Sequence, residues 1–126
     1  MSTEANNIEV SVTTQYIEDQ SEPENDKYVF AYTVTIQNKG QQAARLESRH
    51  WVITDANGQT QEVRGEGVVG EKPYLGKDAI YQYTSGTVIE TPVGSMHGSY
   101  QMVAENGNKF DAPIPVFTLA KPNILH

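Results

Sequence analysis

An all-β antiparallel sandwich is the fold class that this sequence predicts, on three observations. Apolar and polar residues alternate with a period of two, most clearly from Tyr28 to Asn38, where Tyr28, Phe30, Tyr32, Val34 and Ile36 share one face. Turn-forming clusters interrupt that alternation about every ten residues, among them Asn57-Gly58 and Asn106-Gly107. No stretch carries the apolar spacing of an amphipathic helix.

The first strand is expected over Ile8–Ile17, with Ile8, Val10, Val12 and Tyr16 on one face. Glu18–Lys27 follows as a polar loop, where Pro23, Asn25 and Asp26 favour turns. Tyr28–Asn38 is the longest clean strand, and Asn38-Lys39-Gly40 turns the chain. Ala44–Asp55 and Gln59–Arg64 flank Asn57-Gly58, the strongest short hairpin signal. With those two residues as the loop, Trp51 is expected opposite Arg64, a guanidinium over an indole, and Arg49 opposite Glu66. The remaining strands are expected at Ala79–Ser85, Ser95–Glu105 and Lys109–Leu119. Pro113 and Pro115 lack N–H groups on the same side, which puts the last strand at a sheet edge or a bulge. Seven strands, with Trp51 on the third and Tyr100 on the sixth, make the order of an immunoglobulin or fibronectin type III sandwich with both aromatics in its core.

At 126 residues the chain is expected to form one domain over 8–119, between a disordered tail at 1–7 and a C-terminal tail at 120–126. The lack of cysteine excludes disulfides and thiolate metal sites. No apolar run approaches the ~20 residues of a membrane span, and Met1–Asn7 lacks the regions of a signal peptide. A cytoplasmic protein with no membrane partner is the expectation. The net charge of −7 is uneven. Residues 1–26 carry seven acids and no Lys or Arg, and beyond them nine acids balance nine bases. A pI of about 4.8 argues against a nucleic-acid partner, which would require a basic face.

Arg64-Gly65-Glu66-Gly67-Val68-Val69-Gly70-Glu71-Lys72-Pro73 holds a G-x-G-x-x-G spacing. A dinucleotide fold needs a helix opening at the last glycine, and Pro73 with Tyr74-Leu75-Gly76 offers none. A turn or bulge is the favoured reading. The functional one is an anion-binding nest of amides made by Gly65, Gly67 and Gly70, with Arg64 and Lys72 beside them. His50, His97 and His126 are isolated, and no metal site is expected from them. Ser85 and Ser95 lie outside any G-x-S-x-G elbow, and Thr84-Ser85-Gly86 reads as turn chemistry. No constellation supports catalysis, so neither an enzyme nor a cofactor is expected.

Five stretches together resemble the ApaG family. They are Tyr28–Ile36, Ser48-Arg49-His50-Trp51-Val52-Ile53-Thr54-Asp55, Val63-Arg64-Gly65-Glu66-Gly67-Val68-Val69-Gly70-Glu71, Tyr83–Gly86 and Thr91–Met102. The resemblance runs from about Ile8 to Leu119 and implies a fibronectin type III-like sandwich. Bacterial members are small stand-alone proteins, named for a gene beside that of a diadenosine-tetraphosphate hydrolase and associated with cobalt resistance and magnesium efflux. In eukaryotes the domain is fused into an F-box protein and a DNA polymerase partner, both settings of protein–protein interaction. The resemblance supplies no catalytic residue, and it attaches a pyrophosphate role to Gly65, Gly67 and Gly70. The expected function is a non-catalytic module that docks an unidentified protein partner, with an indirect link to divalent-cation homeostasis. An edge strand near Pro113 or the Glu18–Lys27 loop would supply the surface. The alternative is a weak phosphate, pyrophosphate or nucleotide-binding domain acting through Gly65–Gly70.

Overall fold

Strands that alternate in polarity have one apolar face to bury, and pairing them into two facing sheets buries it. The computed structural model, which describes residues 6–123, has eight strands. They are β1 (Ile8–Tyr16), β2 (Tyr28–Asn38), β3 (Ala44–Asp55), β4 (Thr60–Glu66), β5 (Tyr74–Leu75), β6 (Ile80–Ile89), β7 (Val93–Ala104) and β8 (Lys109–Ala120). One sheet has the order β1-β2-β6 and the other β4-β3-β7-β8, with β5 paired to β3. Every pairing is antiparallel. Helix among the described residues is limited to three-residue 3₁₀ turns at Glu18–Gln20 and Pro23–Asn25.

The expected count of seven strands is corrected to eight. The addition, β5, is two residues long and too short to show alternation. Thr84-Ser85-Gly86 is not a turn: it lies within β6, which continues through Thr87, Val88 and Ile89. The polar loop is tied down by Ser21, whose hydroxyl donates to the Ile17 carbonyl (2.8 Å) and accepts from the Val29 amide (2.9 Å). Of the two expected tails, residues 1–5 and 124–126 lie outside the described residues. Inside that limit the Asn7 carbonyl accepts from the Lys39 amide, and the Lys121 amide donates to Pro92.

The β3–β4 register is one residue away from the expected one. Thr54 pairs with Thr60, Trp51 with Val63, His50 with Arg64 and Arg49 with Gly65. The loop is therefore Ala56-Asn57-Gly58, three residues rather than two. Asp55 causes this: its carboxylate accepts from the Asn57 (2.9 Å) and Gln59 (3.0 Å) amides, and Gly58 follows at φ 84°. The expected pairings of Trp51 with Arg64 and Arg49 with Glu66 do not form.

Two bulges shape the second sheet. Between Leu46 and Ser48 the β3–β7 register shifts, so Ala44 and Leu46 face inward before it, and Arg49, Trp51 and Ile53 after it. The β7–β8 register shifts between Met96 and Gly98, where Phe117 and Ile114 are the partners. That leaves Pro115-Val116 opposite His97. β8 is thus both an outer strand and a bulged one, as its two prolines require.

Trp51 and Tyr100 are 2 % and 0 % exposed, as expected. The indole meets Tyr32, Phe117 and Tyr100 edge-on at 5.3, 5.9 and 6.4 Å between ring centroids. Each such pair is worth about 0.5–1.5 kcal/mol beyond the area it buries. Asn38 is a buried polar residue with all its groups satisfied. Its side-chain amide donates to Gln42 (3.0 Å) and Leu75 (2.9 Å) carbonyls, and its side-chain oxygen accepts from the Gly40 amide (2.9 Å). It joins β2, the following turn and β5.

Candidate functional site

β4 ends at Glu66 and β5 begins at Tyr74, so the glycine motif straddles a strand end and a loop. Val68 and Glu71 exchange both backbone hydrogen bonds (2.8 and 2.9 Å) around Val69-Gly70. Both central residues have positive φ, 47° and 80°, the geometry of a tight primed turn. Gly67, at φ 61°, donates its amide to the Glu47 carbonyl at 2.8 Å. The amides of Gly67, Val68 and Glu71 are thus taken up by the chain's own carbonyls, whereas an anion nest needs converging free ones. The nearby cations are also paired. Lys72 Nζ lies 2.8 Å from Glu66 and 3.3 Å from Glu47, which holds the Glu66 carboxyl below its usual range and the Lys72 ammonium above its own. Arg64 is exposed and 3.6 Å from Glu62. Gly67, Gly70 and Lys72 therefore share one loop, while Arg64 and Gly65 alternate on β4.

Arg49 is the residue that sequence reasoning missed. The β3 bulge turns it inward beside Trp51, and Nη1 donates to the Glu66 (3.1 Å) and Gly67 (2.7 Å) carbonyls. Gly65 stands opposite without a side chain, and a Cβ there would lie 2.7 Å from Nη2. The guanidinium thus closes the glycine loop from inside. It also lines a cleft of about 460 Å³ between the edges of β4 and β6, with Tyr32, Trp51, Val63, Ser85 and Val88. Behind that cleft Tyr83 and Tyr100 share a buried hydroxyl hydrogen bond of 2.5 Å. Burial pushes Tyr83 up to about 12 and Tyr100 further. Tyr32 is raised too, by burial, against the opposing pull of Ser85 and Arg49. All three phenols are neutral at pH 7.

The sheet edges differ in how they are guarded. β4 carries Glu62, Arg64 and Glu66, and β8 has two prolines and a bulge. β1 holds Glu9, paired to Lys39 at 3.2 Å, and its Val10–Val12 segment lies against Pro115–Phe117. β6 has no charged residue, no proline and an unbroken register with β2. The Asn38 amide donates to the Ala79 carbonyl, so by alternation the backbone groups of Ile80, Gln82, Thr84, Gly86 and Val88 face away from β2. Ile80 and Val88 are 60 % and 49 % exposed.

The other predicted positions are dispersed. His50 Nε2 is 2.8 Å from Glu62, whose carboxyl it holds low, and His97 is exposed on β7. His126 lies outside the described residues, and Ser95 pairs with Thr54. Among the described residues no three His, Asp or Glu side chains converge to hold a metal.

The model of the ApaG domain family matches residues 18–104, from the polar loop to the end of β7. The chain belongs to the ApaG family. It is 61% identical over 119 residues to the Protein ApaG of Azoarcus sp. (strain BH72), covering 94% of both. With the Protein ApaG of Shewanella oneidensis it shares 59% over 126 residues, the whole of both. A Bordetella pertussis crystal structure described as ApaA superposes with a TM-score of 0.91 at 49% identity, covering 94% of this chain and 96% of that one.

The three glycines of this ApaG domain have different reasons to be glycine, and alanine substitutions should separate them. Gly67→Ala is expected to cost about 2 kcal/mol, because φ is positive and the new Cβ would lie 2.3 Å from the Glu71 carbonyl oxygen. Gly70→Ala meets nothing within 4 Å and should lose only about 1 kcal/mol to its φ of 80°. Gly65→Ala should displace Arg49 from its two carbonyls with no φ penalty. Urea midpoints rank them; equal losses at Gly67 and Gly70 would refute the geometric account.

Proposed function

We propose that this ApaG domain is a non-catalytic docking module that takes an extended segment of a protein partner onto the free edge of β6. The observation that carries the reading is the contrast among the edges. Three are guarded by charge, proline, a bulge or a neighbouring strand, and among the long strands of the described residues β6 alone presents an uncharged, regular row of unpaired backbone groups. Added-strand binding uses such a row for affinity. The expected surface near Pro113 gives way to β6 in this reading, since the prolines and bulge of β8 disfavour a further strand. The three-stranded sheet facing a longer one, with Trp51 and Tyr100 between, supports a fibronectin type III-like classification. The family's association with cobalt and magnesium is read as indirect, acting through the docked protein. Phosphate binding by Gly65–Gly70 has less support, because the amides of Gly67, Val68 and Glu71 and the Lys72 ammonium are already paired.

The test is amide hydrogen exchange on the domain bound to a partner captured from a related bacterial lysate. Protection is expected at the alternate amides of Gln82, Thr84, Gly86 and Val88, with capture lost in Thr84→Lys. Protection confined to another edge would overturn the assignment to β6.

A further inference from the structure

The cleft behind β6 holds a half-used cation, and an added strand would send every second side chain toward it. We propose that this cleft selects the docked segment by a carboxylate side chain that pairs with Arg49, an inference that rests on docking at β6. Side chains of a strand alternate between faces, so alternate residues of the added strand share the side of Tyr83, Ser85 and Thr87, which is the cleft side. A volume of about 460 Å³ accommodates such a side chain.

Arg49 suits a carboxylate in number, geometry and rigidity. Nη1 serves the Glu66 and Gly67 carbonyls, while Nε and Nη2 have no hydrogen-bond partner among the described residues. Those remaining donors sit on the planar fork that matches a carboxylate's two oxygens. Two carbonyls and the bare backbone of Gly65 already fix the guanidinium, so little freedom is lost on binding. Arg49 is also the one charged residue among the described residues that line the cleft. Glu62 and Glu66 belong to the outward face of β4 and are paired with His50, Arg64 and Lys72. The net charge of −7 opposes an acidic segment at long range. Salt confines that repulsion to about 8 Å, whereas the contact at Arg49 lies against the apolar wall of Trp51 and Val63.

Trp51 is the chain's one tryptophan and lines the cleft, so its emission reports occupancy. The probes are seven-residue peptides alternating threonine and valine, with glutamate, glutamine or lysine at the centre. The glutamate peptide is expected to bind about tenfold tighter than the glutamine one and to shift Trp51 emission, with lysine weakest. That preference should vanish in Arg49→Gln. Because Arg49 also braces the glycine loop, Gln61→Glu serves as a second variant: it adds a carboxylate to the cleft lining and should abolish the preference in a folded domain. Equal binding of the glutamate and glutamine peptides to the unmodified domain would overturn the carboxylate inference and leave docking at β6 standing. No binding by any peptide would overturn both. A concentration-dependent dimer closing this edge without peptide would assign it to a second copy and overturn the proposal.

Discussion

Gly98→Ala is expected to destabilise the domain by about 3 kcal/mol or more, at the upper end of what overpacking costs. A Cβ there would stand 2.0 Å from the His50 carbonyl oxygen, 3.0 Å from its carbon and 3.1 Å from the Trp51 Cα. All three atoms are β3 backbone, so no rotamer change relieves the contact. β3 and β7 would have to part at the Trp51–Gly98 pair, directly beneath the indole that meets three other rings. The control is Gly107→Ala, with positive φ but open space, which should lose about 1 kcal/mol. Thermal melts check both: a Gly98→Ala midpoint at or above that of Gly107→Ala would contradict the close approach of these strands.

Above pH 10 the fold is expected to weaken steeply, because two buried phenols must ionise. An unfolded tyrosine loses its proton near pH 10, whereas Tyr83 keeps it to about 12 and Tyr100 to higher pH, both through burial first. Between those limits the unfolded chain binds fewer protons than the folded one, so stability falls as pH rises; below pH 10 the contribution is fully present. The slope is about 1.4 kcal/mol per pH unit for each tyrosine, from pH 10 to 12 for Tyr83. Urea midpoints at pH 9, 10 and 11 should trace this fall. The double variant Tyr83→Phe with Tyr100→Phe removes both ends of their shared hydrogen bond and should flatten the profile. An unchanged slope in that variant would place the titrating groups elsewhere.

Most of the architecture was legible because a strand announces itself locally, through neighbours two residues apart. The run from Tyr28 to Asn38 could be read that way, and so could the burial of Trp51 and Tyr100. Features requiring a pairing could not. Asp55 adds one residue to the Asn57-Gly58 loop through two side-chain hydrogen bonds, and that slip exchanges Arg64 for Val63 opposite Trp51. Asp55 three residues before Gly58 was the available signal. β5 is too short for periodicity, and Gly86 hides the second half of β6. Of the candidate site, the glycine spacing was visible, but not that the Gly67 amide bonds to Glu47 and those of Val68 and Glu71 bond within the loop. Arg49 was read as the cross-strand partner of Glu66, but the same slip places Gly65 opposite it, and its guanidinium reaches the Glu66 and Gly67 carbonyls instead.

The plainness of β6 also bears on how the chain reaches its fold. β1 with β2, β3 with β4, and β7 with β8 are neighbours in sequence and can pair as soon as their connecting turns form. β6 has only β2 to pair with, and β3, β4 and β5 intervene in the chain. Until that distant pairing closes, both of its edges are bare, along a segment with neither charge nor proline to deter a wrong neighbour. The step that depends on the longest search therefore falls to the least protected strand, and self-association competes with folding most strongly there.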